Sequence, residues 1–141
     1  MRHKVDGRLF GRPANQRKAL LRCLVTALFE NQRIETTVAK AKETKRIAEK
    51  MITFGIKGDL HSKRQVLTVV TCRTIASKLF NEIAPRFTGR NGGYLRLVHT
   101  RNRLKDSAPM AILEFIDYES IKKPKGKAAK AALDSADTKG K

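Results

Sequence analysis

At 141 residues and 40% hydrophobic content, the chain is long enough to form one domain around a real core. Its 31 lysines and arginines against 13 acids leave a formal charge of +18, so a compact form repels itself and attracts polyanions. It has neither an apolar run of about 18 residues nor a signal-peptide pattern, which argues against a membrane span and against export.

The first 22 residues carry Arg2, Lys4, Arg8, Arg12, Arg17, Lys18 and Arg22 against one acid, Asp6. Gly7, Gly11 and Pro13 punctuate residues 1–14, where cations recur without a hydrophobic period, so this part reads as an extended basic arm. His3, between Arg2 and Lys4, is placed to stack on a base or hydrogen-bond a phosphate. From Asn15, a plausible N-cap, the residues Leu20, Leu21, Leu24, Val25 and Leu28 recur at helical spacing and predict the first helix. Arg17 and Lys18 lie at its positive end, where acids are normally preferred. A phosphate there removes the conflict and meets free backbone N–H groups, so Arg17, Lys18 and Arg22 are read as RNA contacts.

The β-branched stretch Arg33 to Thr37 alternates as a strand, and Thr36 or Thr37 is placed to cap a second helix from Val38 to about Phe54, ended by Gly55 and Gly58. Lys40 and Lys42, near that helix start, join the candidate contacts together with Arg33. Asp59 reads as the N-cap of a third helix from Leu60 to about Val70. The run Val66 to Val70 is β-branched enough for a strand, but Asp59, Lys63, Arg64 and Gln65 favour the helix. Thr71 is placed to cap a fourth helix, Arg73 to Ile83, closed by Pro85. The remainder reads as a hairpin, with strands at Tyr94 to His99 and Met110 to Tyr118. The connection from Arg101 to Pro109 is long and begins basic, with Arg101, Arg103 and Lys105, as if to reach a groove. Arg90 and Arg96 flank Tyr94, whose ring reads equally as a base-stacking platform and as core. Residues 122–141 are Lys/Ala-rich and too poor in apolar groups to offset their ordering entropy, so they are read as a disordered tail.

Catalytic vocabulary is missing: no GxxxxGK[ST], no GxGxxG after a strand, no HExxH and no GxSxG occurs. Cys23 and Cys72 form no CxxC pair, and His3, His61 and His99 are dispersed, which disfavours a zinc site. Both cysteines read as small buried hydrophobes of a reducing cytosol. Asp6, Asp59, Glu82 and Asp106 are too scattered for a two-metal nuclease. The expectation is no catalytic residue, no metal and no cofactor.

Several separated segments, in order, resemble one family. MRHKVDGRLFGRP at the start, RKALLR (Arg17 to Arg22), RIETTVAKAKE (Arg33 to Glu43), RNGGYLRLV (Arg90 to Val98) and APMAILEF (Ala108 to Phe115) are similar to the bacterial-type large ribosomal subunit protein seventeen family, from Met1 to about Tyr118. The resemblance implies an α+β, two-layer fold of order α-β-α-α-α-β-β, with helices on a small three-stranded mixed or antiparallel sheet. The domain then spans 15–121. It also implies a structural role in the large subunit, bound to 23S rRNA toward the solvent side near the tunnel exit, beside other large-subunit proteins. No membrane, no small-molecule substrate and no homo-oligomer is expected. Since the opening motif begins at Met1, no organelle presequence is expected, and a bacterial cytoplasm is the natural location. The alternative from charge alone is a basic DNA-binding or nucleoid-associated protein, although no helix-turn-helix with a polar recognition helix is apparent.

Overall fold

The computed structural model describes residues 7–118. Arg2, His3 and Lys4 of the arm and the tail at 122–141 therefore lie outside the described residues. The described part of the arm is less extended than expected. Phe10 and Gly11 both take positive φ, 57° and 60°, and the Arg12 N–H donates to the Leu9 carbonyl at 3.2 Å, closing a tight turn.

Helix α1 (Ala14–Asn31) follows at once. Its cap is Pro13 rather than Asn15: proline lacks an N–H, and its carbonyl accepts the Arg17 N–H at 3.0 Å. Gln32 adopts the left-handed conformation and returns its N–H to Leu28 at 2.7 Å, turning the chain into β1 (Arg33–Thr37). Helix α2 (Val38–Lys57) leaves β1 without a loop. Thr37 and Asp59 do occupy the N-cap positions of α2 and of α3 (Leu60–Val69), but neither side chain makes a capping bond.

Gly58, with φ of 70°, ends α2, whereas Gly55 does not. Gly55 is buried inside the helix, and a Cβ there would lie 3.1 Å from the Ala84 Cβ. It lets α2 cross the later helical run at close range. That run starts one residue beyond the expected cap: Cys72, not Thr71, precedes α4 (Arg73–Lys78). It then continues through a π turn (Leu79–Ile83) into α5 (Ala84–Arg86). Pro85 therefore sits within the run instead of stopping it. The Ala84 N–H bonds five residues back to Leu79, and this wider turn accommodates a ring that would collide with a regular α-helical turn.

Strands β2 (Leu95–Asn102) and β3 (Pro109–Phe115) complete an antiparallel sheet of order β1-β3-β2. Counting the α4–α5 run once, the chain has the order α-β-α-α-α-β-β, an α+β fold. Period-two alternation turns Leu95, Ala111, Leu113 and Phe115 inward. They meet Val25, Leu28 and Phe29 of α1 and Ala41, Ala48, Met51 and Ile52 of α2 in one core, which Leu79 and Ile83 of the π turn extend.

The hairpin connection is shorter and tighter than its sequence implies. β2 runs on to Asn102 with an irregular register after His99, and the Arg103 N–H bonds the Ala108 carbonyl at 2.9 Å. The Asp106 carboxylate accepts two hydrogen bonds from the Arg103 guanidinium, at 2.8 and 2.6 Å, and a longer one from the Ala108 N–H at 3.3 Å.

Candidate nucleic-acid interface

The topology brings together cations that are far apart in sequence. In the β1–β3 register Thr37 faces Met110, and in the β2–β3 register Asn102 faces Pro109. The hairpin tip and the start of α2 therefore share one end of the sheet. There Arg101, Arg103, Lys105 and Met110 line a shallow depression with Glu35, and Lys40 and Lys42 follow within the first turns of α2. The arm joins this end from the helix side. Arg8 lies 3.8 Å from Glu43, which also approaches Arg46 at 3.8 Å.

The side chains gathered there differ in how far they are committed. Arg101, Lys40 and Lys42 form no ion pair among the described residues. Arg103 is held by Asp106, whose carboxyl is pulled down to about 2, first by the Arg103 hydrogen bonds and then by the Ala108 N–H. The pair stays ionised through the physiological range, so Arg103 braces the turn while Arg101 and Lys105 project from it. The Arg12 guanidinium donates to the Phe10 carbonyl at 3.4 Å and forms no ion pair among the described residues.

At the α1 start, no acid occupies the first turn. The N–H groups of Ala14, Asn15 and Gln16 precede the first helical bond, made by Arg17. Exposed Lys18 and Arg22 are four residues apart on one face, a like-charge spacing that disfavours the isolated helix by a few tenths of a kcal/mol. An anion bridging them would convert that penalty into attraction.

The opposite end of the sheet holds the remaining candidates. Arg33 and Arg96 both face Glu114 in the register and pair with it, at 3.5 and 2.7 Å. Glu114 is only 6% exposed, so these arginines first serve to neutralise a buried carboxylate. Arg33 also lies over the Tyr118 ring at 5.5 Å. Exposed Arg90 donates from Nε to the Gly92 carbonyl at 3.2 Å.

Tyr94 is corrected by the fold. It is 3% exposed, its ring lies 5.3 Å from that of Phe87, and its hydroxyl donates to the Arg90 carbonyl at 3.1 Å. The two glycines before it turn the chain so that the ring enters the core, where no base can reach its face. The cysteines differ from expectation in the other direction, for both are exposed. Cys23 sits on the outer side of α1, and Cys72 precedes α4, where the N–H groups of Ile75 and Thr74 hold its thiol below the ordinary range.

Lys63 of α3 and Arg73 of α4 come together as a further basic pair that no local sequence signal singles out. Each on its own resembles part of any solvated helix face, and only the packing of α3 beside α4 brings them together.

Comparison with known proteins gives this charged surface a setting. Residues 20–116 match the family described as ribosomal protein L17. The chain is 59% identical to the large ribosomal subunit protein bL17 of Thermodesulfovibrio yellowstonii over 94% of this chain and 99% of that protein. The bL17 of Desulfotalea psychrophila is 51% identical over 84% of this chain and 92% of that protein, and that of Symbiobacterium thermophilum 55% over 75% and 94%. These relatives are bacterial ribosomal proteins, and among the described residues no helix is long and apolar enough to cross a membrane. A family match across most of the core and close identity over nearly the full length agree with the fold: the chain belongs to the ribosomal protein L17 family, whose members are structural, non-enzymatic proteins of the large ribosomal subunit.

Proposed function

We propose that the protein binds and braces folded 23S rRNA within the bacterial large subunit, beside neighbouring large-subunit proteins and without a cofactor. A position on the solvent side near the tunnel exit is part of the same proposal, and the family resemblance supports it. One observation carries the binding reading. The α2 start, the hairpin tip and the arm converge at one end of the sheet, where Lys40, Lys42 and Arg101 have no acidic partner among the described residues. Arg17, Lys18 and Arg22 extend the same chemistry at the α1 start. Arg2 and Lys4 add cations from the arm, with His3 between them to stack on a base or hydrogen-bond a phosphate, and Arg90 adds a cation from the far end of the sheet. Phosphate contacts of this kind position a protein without reading bases, so recognition rests on the folded shape of the RNA.

The test is competition at matched salt with the purified protein. Fragments of 23S rRNA should displace duplex DNA, with affinity falling by roughly 0.7 to 0.9 log units per log unit of salt for each phosphate neutralised. A flat salt response would remove the phosphate mechanism. Preference for duplex DNA would move the protein to the nucleoid-associated class.

A further inference from the structure

A concave surface outside the interface described above lies between α3 and α4. It has a volume of about 430 Å³ and an apolar floor of Leu67, Ala76 and Phe80. Leu67 is 41% exposed, so the floor is open to a ligand from solvent. Lys63 and Arg73 form the rim, with the Lys63 Nζ 5.9 Å from the centre of the Phe80 ring. Neither cation has an ion pair among the described residues, and no carboxylate lines the groove. Ser77 and Asn81 complete the wall, and the Asn81 amide can both donate and accept.

The groove therefore wants a ligand with a flat apolar face and a negative charge close beside it. A single nucleotide combines the two, because every base has a π face and carries phosphates on either side. A peptide partner needs a row of anchor pockets at helical or strand spacing, whereas this floor presents one aromatic ring beside two aliphatic side chains. Ser77 and Asn81 also line a neighbouring depression that holds Glu30 and Glu82, so the cationic rim at Lys63 and Arg73 is the side of the groove that suits a phosphate.

We infer that the α3–α4 groove receives one unstacked nucleotide of the bound RNA, with its base against Phe80 and its phosphates at Lys63 and Arg73. The assignment rests on the RNA-binding reading above and adds to it a site that grips a single, extruded residue.

The experiment uses the full-length chain, intact 23S rRNA as probe, and photocrosslinking in assembled large subunits. A nucleotide adduct is expected on the tryptic peptide Leu79–Arg86, which contains Phe80. Phe80→Leu, which keeps apolar volume but removes the flat ring, should abolish the adduct and weaken rRNA binding roughly fivefold or more. The double variant Lys63→Glu/Arg73→Glu changes only exposed positions and should weaken binding at least as much, so the outcome does not hang on Phe80→Leu folding. Arg17→Glu/Lys18→Glu tests the underlying reading separately. If that variant loses binding while both groove variants bind like the wild type, the groove assignment falls alone. If all three bind like the wild type, the RNA-binding reading falls with it. A protein crosslink at Leu79–Arg86 in place of a nucleotide would overturn the assignment in favour of a peptide partner.

Discussion

Cys72 combines exposure with a thiol whose pKa is lowered from its ordinary value, chiefly by the nearby N–H groups of Ile75 and Thr74. Reactivity follows the thiolate fraction, so a lowered thiol pKa moves the onset of alkylation to lower pH. In a Cys23→Ala background, the rate of Cys72 alkylation should reach half its maximum at a lower pH than a free thiol such as N-acetylcysteine. An equal or higher midpoint would show that those N–H contacts do not act on the sulfur in solution. Exposure of this kind was illegible in the sequence, because a lone cysteine carries no periodic signal and free cysteines are usually buried. Tyr94 stayed ambiguous in the sequence for a related reason. A tyrosine after two glycines announces a turn, but only the position of Phe87 decides which way the ring points. The lysines at the α2 start were easier to read, because their distance from the helix terminus follows from the strand-to-helix switch at Thr37 and Val38.

At the scale of elements, the periodic segments were the readable ones. α1, β1, α2, α3 and the two hairpin strands lie within a few residues of where hydrophobic spacing puts them. Proline and glycine were misjudged where tertiary packing overrode local preference. Pro85 is carried through by the π turn, and Gly55 is kept inside α2 by its neighbours. The second case is measurable. The Ala84 Cβ and the Leu79 side chain leave almost no room at Gly55, so Gly55→Val should destabilise the fold by about 2 kcal/mol in chemical denaturation, despite replacing a poor helix former. An unchanged midpoint would mean that the helical run is free to move away from α2. The hairpin connection was misjudged for a further reason: its closure depends on Asp106 meeting Arg103, a contact between side chains that leaves no trace in hydrophobic pattern.

The whole molecule separates its charge from its stability. Its core is formed by the sheet and helices, whereas the arm meets the body at the Arg8–Glu43 contact of 3.8 Å, with Arg8 54% exposed. An exposed pair at that distance contributes at most about 1 kcal/mol. Deleting residues 1–12 is therefore expected to leave thermal unfolding almost unchanged while impairing incorporation into large subunits, as read by sedimentation of particles from cells expressing the truncation. Normal incorporation would remove the anchoring role proposed for the arm. The sequence made this division visible, since a basic, aperiodic opening gives way abruptly to helical periodicity at the start of α1. It did not reveal that the hairpin tip lies at the same end as the α2 start, which depends on strand register.

That register has a consequence for the chain before it meets its RNA. β2 is an outer strand, and an unpaired strand edge is a template on which other copies can add. The shift between His99 and Asn102 interrupts its ladder, and Arg101 places positive charge along it. The other outer strand, β1, is five residues long and passes straight into α2. Newly made copies accumulating ahead of assembly thus present each other with two short, broken or like-charged borders, so the sheet resists polymerisation while it waits.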